Sequence, residues 1–542
     1  MNKKISIYIQ SQLSKIDWKL LLFLLLVMNV KLYVKIVAVI IIFILRPGFK
    51  LLFRLKHLQI PLFYPVIIVF SLLQLLAWPS HLNADYLPIF LAGTGFWFIS
   101  FLILIQLRFA IDVNKPEKLH QTITVFFLIN ALFSICTLLF IMAETGLLNP
   151  YSYQGLNQKY FIGTGDYMRG ISFDSSLTNA IINASGVIYF LLRKKNTWAV
   201  ACMFCLLLCG SNFINTVMAI ILIGILVFYR NKLLKSMAVV CMAIMVCFVV
   251  RVFPSNNSYM INYFYHQFYK LSGQESSAEK TPPVVSDEDR KLILAQQYLD
   301  SIATIEVAEK RKNEATAQLS KKPDLPLVVR KTDIHSAPYQ RNRDTPLSRK
   351  ILIHETYLLY GDSSIFGELP EYERWPGKLI AYRQTLNLLR SDLRYLFFGA
   401  GPGNFSSRLA FKASGINTFA GSFPKKFVHI DTPFKYNHLR TYLYYRTKDE
   451  GKHSLLNFPN SVYNQLATEY GLPGIVLFLI FYVGFFFRRY RKLSYGIPLL
   501  VFMLAVFAAD YWFESLSIVI LFELLMLLDL HSTGSISKKG TS

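Results

Sequence analysis

Phe397 to Phe405 reads FFGAGPGNF, three glycines, a proline and an asparagine within nine residues, with aromatics at both ends. A glycine-rich turn of this kind can hold phosphate, because main-chain N–H groups approach an anion only where no side chain intervenes. The Lys-Ser/Thr that completes a nucleotide-binding loop is missing, since Phe405 and Ser406 follow Asn404. The competing reading is a structural turn. Cys202, Cys205 and Cys209 share a helical face and would suit a metal, yet all six cysteines fall in apolar segments, where Cys packs as a small hydrophobe. No carboxylate or His/Cys cluster has convincing ligand spacing, so neither metal nor cofactor is expected.

What the glycine loop meets depends on the elements around it. Of 542 residues, 53% are hydrophobic and 17% charged, and apolar stretches long enough to approach a bilayer's thickness recur along the chain. Among them are Pro61 to Trp78, Pro88 to Leu107, Thr122 to Met142, Leu233 to Val252 and Gly471 to Phe487. These predict an all-α polytopic membrane protein. Lys3 and Lys4 precede an apolar run from Leu20 to Val30 without a small-residue cleavage site after it, so the first helix is expected to stay.

The formal charge of +24 invites a nucleic-acid reading, but the basic residues fall where a membrane topology puts them. Arg46/Lys50/Arg54/Lys56, Lys115/Lys118, Arg193/Lys194/Lys195, Arg230/Lys232/Lys235 and Arg488/Arg489/Arg491/Lys492 flank alternate helix ends, while Pro79 to Tyr86 and Asp510 to Phe513 carry no Lys or Arg. Placing every cluster in the cytoplasm gives about twelve spans, with eleven to thirteen open, and both termini cytoplasmic. The spans fall near 18–31, 32–45, 59–78, 88–108, 121–143, 175–192, 197–211, 213–229, 233–252, 471–487, 495–510 and 514–530.

Three regions follow: 1–252 with about nine spans and a small outer loop at 144–174, a large outer domain at 253–457, and 458–542 with an interfacial helix and about three spans. In the large region, Ser286 to Lys322 reads as an amphipathic helix, Lys321 to Arg349 as a linker or irregular loop, and Tyr372 to Tyr395 as helical. The domain is therefore expected to be mainly helical. Absence of an internal repeat counts against transporters built from duplicated halves.

The glycine loop then lies outside the cytoplasm, where the phosphates at hand are those of lipids, including sugar-carrying polyprenyl diphosphates. Downstream, FPNSVYNQLATEYGLPGIVLF (Phe458 to Phe478) repeats Val462, Leu466 and Tyr470 at fourfold spacing, with Asn464, Gln465 and Thr468 elsewhere on the wheel. This predicts a half-polar helix at the membrane surface, broken by Gly471 to Gly474 where a span begins.

A G-x-G-P-G-N-F loop followed by a P-[HN]-x-x-Y helix ending E-x-G-L-P-G resembles the O-antigen ligase and O-antigen polymerase family of bacterial membrane glycosyltransferases. Pro376-Gly377-Lys378 with Tyr382 is similar to that family's segment before the loop, and YMRGISFDSS (Tyr167 to Ser176) to its Arg-Gly-Phe segment in the smaller outer loop. The motif-level match covers about fifty residues, though topology extends it over most of the chain. Two departures weigh against a standard ligase. The slot of the family's P-H-N histidine holds Asn460, or Pro459 if shifted by one, and Ser211-Asn212 stands where Ser-Arg is common.

The resemblance implies a bacterial inner-membrane enzyme with its large domain in the periplasm. It would transfer glycan from a polyprenyl diphosphate to a sugar hydroxyl, without metal. Such a reaction needs cations to hold the diphosphate, and arginine does so bidentately. Arg169 is the first candidate, with Lys378, Arg383, Arg440 and Arg446 beside it, each against the alternative of a surface charge. Gly401, Gly403 and Asn404 of the loop, with Asn460 and Tyr463, complete the expected binding set. For a base, Glu469 and His453 are the candidates, with Asp174 as another. Phe434 to Arg446 (FKYNHLRTYLYYR) alternates aromatics with basic residues, as either a glycan platform or packing at the interface. Glu523, mid-way along the last span, is a costly charge that requires a partner.

The leading expectation is polymerisation of lipid-linked repeat units into a surface polysaccharide. The alternatives are a ligase that moves glycan onto a lipid or protein acceptor, and a flippase for lipid-linked sugars. Expected partners are the lipid-linked donor, a glycan, lipid or protein acceptor, membrane lipids and a chain-length regulator, with no nucleic acid.

Overall fold

The computed structural model describes residues 14–47, 59–78, 84–152, 167–252, 353, 356, 375–416, 423, 427–447 and 454–539. All of these belong to one unit of the chain, formed by 1–257 together with 340–542. The amphipathic stretch 286–322, the linker 321–349 and His453 lie outside the described residues, as does most of 253–374.

Every regular element among the described residues is a helix. In chain order they are α1 (Trp18–Met28), α2 (Leu32–Leu45), α3 (Phe63–Ala77), α4 (Leu87–Val113), α5 (Pro116–Thr145), α6 (Ser176–Leu192), α7 (Asn196–Leu208), α8 (Asn212–Phe228) and α9 (Lys232–Cys247, continued by a π turn to Val252). There follow α10 (Gly377–Ser391), α11 (Leu393–Phe398), α12 (Arg408–Ala413), α13 (Arg440–Thr447), α14 (Val462–Leu477, continued to Phe487), α15 (Gly496–Val506) and α16 (Ser517–Lys539). Among the described residues four stretches are long and apolar enough to cross a membrane, Leu87–Val113, Pro116–Ala143, Lys232–Val252 and Val462–Phe487, and seven shorter helices are apolar.

Polar contacts tie the helices together at two ends. Asp17 caps α1 by accepting from the Leu20 N–H, pairs with Arg46 at 2.7 Å and accepts from Asn114 at 2.8 Å, joining α1, α2 and α4. Asp529 of α16 accepts the successive N–H groups of Ser494, Tyr495 and Gly496, closing the turn into α15. At the other end of α1, the Val30 N–H donates to the Ser172 carbonyl, and buried Lys35 donates to the Val27 and Ser515 carbonyls and to Ser517. Arg46 thus stands at the Asp17 end, and Arg408, just after the glycine loop, shares a cavity wall with Val30. Between them Glu523 accepts from Tyr64 of α3 at 2.5 Å, inside a nest of aromatic rings that includes Phe63, Tyr482 and Phe513. A buried carboxyl in a bundle needs such a donor.

One difference from the sequence reading concerns α14. It does not lie with a polar face on a surface: Asn464, Gln465, Thr468 and Glu469 are buried along with Val462, Leu466 and Tyr470. Tertiary partners take the polar groups, since Thr385 donates to Asn464, Asn464 to the Pro459 carbonyl, and Thr468 to the Asn464 carbonyl. The expected break is present at Gly471, whose non-helical φ 66° and ψ −167° separate the helix before it from the helix after it.

Candidate functional site

The kink at Gly471 leaves the carbonyls of Thr468 and Glu469 without helical partners, and the glycine loop supplies them. The Ala400 N–H donates to Thr468 at 2.8 Å and the Gly401 N–H to Glu469 at 3.0 Å. Gln74 of α3 adds a donor to the Glu469 carbonyl and another to that of Phe398, while Trp78 donates to Gly399 at 2.9 Å. Gly399 (φ 69°) and Gly471 face one another across this contact. A Cβ on Gly399 would lie 2.5 Å from the Glu469 carbonyl, and one on Gly471 2.6 Å from that of Leu396, so both positions need glycine for positive φ and for space. The two glycine motifs are one interlocked structure.

The acidic group that meets the loop belongs to the chain itself. The Ser406 N–H donates to Oε1 of Glu469 at 3.3 Å, and that carboxylate also draws on Ser407 and the N–H groups of Gly403 and Phe405. Gly401, Gly403 and Asn404 are buried. Asn404 donates to the Ala400 carbonyl and its Oδ1 meets His429 Nε2 at 3.1 Å. Ser406 meets Tyr511 at 3.1 Å and His438 Nδ1 at 3.0 Å, while His438 Nε2 faces the Ala381 carbonyl at 3.1 Å. A carbonyl only accepts, so Nε2 carries the proton and Nδ1 accepts from Ser406. Burial lowers the His438 pKa to about 4, so it sits there neutral.

Beside the loop lies a cavity of about 310 Å³. One part of its wall is apolar, with Val30, Leu32, Ala92, Phe96, Leu409 and Phe423. The remainder, apart from Ser515, is charged: Lys35 of α2, Arg408 and Lys412 of α12, Asp174 before α6, and Glu514. Arg408 pairs with Asp510 at 2.5 Å. Burial works against its charge, but Asp510 and Asp174 outweigh that and hold its pKa above the ordinary value. Burial, then the neighbouring Arg408, lowers Lys412. An anion entering here would relieve that second effect, and the apolar wall would take a hydrocarbon.

The turn that carries Arg169 and Asp174 is held by amides buried inside apolar helices. Asn130 accepts from the Ile171 N–H, Asn179 donates to the Met168 carbonyl, and Asn130 donates to both Asn179 and Asn183. Arg169 is exposed, with its guanidinium 5.7 Å from the Tyr167 ring, and it is not among the residues lining the cavity. Asp174 is.

The other expected residues are placed as follows. Lys378 is buried and its ammonium donates to the carbonyls of Asn460, Ala508 and Ala509 at 2.5 to 3.1 Å, a clamp between α10 and the ends of α14 and α15. Burial lowers it to about 7, opposed by Asp510. Asn460 serves that clamp with its carbonyl, and Tyr463 donates to the Leu504 carbonyl at 2.6 Å. Arg383 is exposed, while Arg440 and Arg446 are half-buried on α13. Phe434, Tyr442, Tyr444 and Tyr445 are buried, so the aromatics of that segment pack inward, and exposed Tyr436 is the exception. Cys202, Cys205 and Cys209 are free and buried, and among the described residues no three metal-ligating side chains cluster.

Sequence reasoning missed Lys35, Arg408, Lys412 and Glu514. A lysine inside an otherwise apolar helix was a legible signal for the first. The others sit in short segments without a pattern of their own. No protein-family model and no curated protein matches the chain.

Proposed function

We propose that the protein is a multi-pass membrane glycosyltransferase that uses a polyprenyl-diphosphate-linked glycan as donor and builds lipid-linked repeat units into a surface polysaccharide. The observation that carries this reading is the cavity at the glycine-loop end, where an apolar wall adjoins the cations Arg408 and Lys412. An isoprenoid diphosphate has this division, a hydrocarbon tail and a head that gains charge as the glycosidic bond breaks. Cations held in a site poor in water stabilise that charge strongly.

In this reading the chain has about twelve spans in the bacterial inner membrane, with the basic clusters and both termini cytoplasmic and the region 253–457 largely periplasmic. The helices available for the spans are the four long ones, the seven shorter ones and α16. Arg169 stands at the same end as the cavity and would meet the outer part of the donor.

A ligase that passes finished glycan to a lipid or protein acceptor is the second reading. Asn460, in the slot of the ligase histidine, is buried and its carbonyl is engaged by Lys378, which favours the polymerase. The test is to incubate the purified full chain with a polyprenyl-diphosphate-linked repeat unit and separate the products on a gel. A ladder spaced by one repeat is the expected result. Transfer only after a lipid or protein acceptor is added would make the protein a ligase, and absence of product in both settings would overturn the reading.

A further inference from the structure

Glu514 stands on the wall of the 310 Å³ cavity and on that of a second, much smaller void of about 10 Å³. Glu469 also lines this void, together with Tyr470 and Gln465. The two carboxylates are held by main-chain donors three residues apart. Ser406 N–H donates to Glu469 and Leu409 N–H to Glu514, each at 3.3 Å. A void of this size has room for one water molecule, provided polar groups surround it. The polar group that requires one is Gln465: it is 2% exposed and its Oε1 has no protein donor. A buried acceptor without a donor is costly, and a water shared with the carboxylates supplies it.

Glu514 therefore lines the cavity and also the small void that Glu469 lines. Two carboxylates so placed do not both ionise readily, and they titrate as a pair. The groups around Glu514 are Arg408, itself paired with Asp510, then Lys35, Lys412 and Asp174 about the cavity, and Glu469 about the small void.

We propose that Glu514 is the general base for the acceptor hydroxyl, and that a water held by Gln465 couples it to Glu469 as a proton-sharing pair. The proposal rests on the glycosyltransferase reading above. The acceptor oxygen forms its bond to the anomeric carbon while the bond from that carbon to the diphosphate oxygen breaks. The electron pair leaves with the diphosphate, which the cavity's cations hold. The hydroxyl proton passes to Glu514. At rest the pair carries one proton; after the transfer both carboxyls are neutral, the form that a buried site favours. Return of that proton to solvent through the cavity resets the pair once products leave. Glu469, held inside the glycine loop, is a positioning residue in this scheme.

The experiment compares full-length wild type with Glu514→Gln, Glu469→Gln and Gln465→Met, measuring binding of a polyprenyl diphosphate and steady-state transfer against pH. Glu514→Gln is expected to lower kcat by about 100-fold or more without weakening donor binding. Glu469→Gln removes the carboxyl that shares the resting proton, so the negative charge on Glu514 is less well stabilised and the acid limb of the pH profile moves to higher pH. Gln465→Met leaves both carboxylates in place and lowers kcat with KM unchanged. Wild-type kcat in Glu514→Gln would overturn the assignment of the base. An unmoved acid limb in Glu469→Gln together with normal kcat in Gln465→Met would overturn the water link. Wild-type protein that neither binds the donor nor forms product would overturn the glycosyltransferase reading, and this proposal with it.

Discussion

The main-chain N–H of Ser406 donates to the carboxyl group of Glu469 at 3.3 Å, so a loop composed like a phosphate cradle encloses an acidic side chain from its own chain. This contact binds the two glycine motifs into one unit. It also leaves the neighbouring cavity, with Arg408 and Lys412 on its wall, as the place for an external anion.

The interlock predicts that Gly399→Ala and Gly471→Ala each destabilise the protein. A Cβ meets main-chain atoms at 2.5 to 2.6 Å and φ is positive at both positions, a combination that costs about 3 kcal/mol or more. Gly95→Ala, in a helix with open space around the added methyl, is the control and should have little effect. Thermal unfolding of the purified variants in detergent checks the contrast.

Lys378 and Lys412 should separate structure from binding. Removing the Lys378 ammonium in Lys378→Met leaves three main-chain carbonyls without their donor, at a cost of about 2–4 kcal/mol. Folded Lys378→Met should bind polyprenyl diphosphate as wild type does. Lys412→Ala is expected to do the reverse, weakening that binding about tenfold with the unfolding midpoint nearly unchanged. Binding isotherms and melting curves on the same samples give both quantities.

Arg169 tests the exposed turn beside the cavity. Arg169→Ala should abolish polysaccharide product while protein abundance in the membrane stays the same. Normal product would remove this arginine from the mechanism.

His438 predicts a pH dependence of stability. Its folded pKa of about 4 lies below the unfolded value near 6.5, so between these values the unfolded chain binds more protons. Its contribution is complete above about pH 6.5 and is lost as pH falls towards 4, by roughly 3 kcal/mol in all. Protonation would place a hydrogen on Nδ1 and break the acceptance from Ser406. Asp431 runs the opposite way, because burial raises it to about 6 and its stabilisation fades as pH rises through that value. The informative measurement is therefore the difference in melting temperature between wild type and His438→Gln across pH 4 to 7, which should shrink as pH falls.

The sequence by itself determined the helices and their membrane character. Apolar runs such as Thr122 to Met142 can hide neither their length nor their lack of charge, and main-chain groups in such a run are satisfied within one helix. It also marked Gly399 to Asn404 and Gly471 to Gly474 as breaks, because glycine and proline act locally. Only the tertiary structure decided what these breaks do. The partner of the glycine loop, Glu469, is over sixty residues away, and Lys35, Asp174, Arg408 and Glu514 reach one cavity from four separate segments. Lys378 and Arg408 are both cations in the sequence. One is consumed by carbonyls, the other lines a cavity, and that difference arises from packing between distant segments, which local residue patterns do not carry.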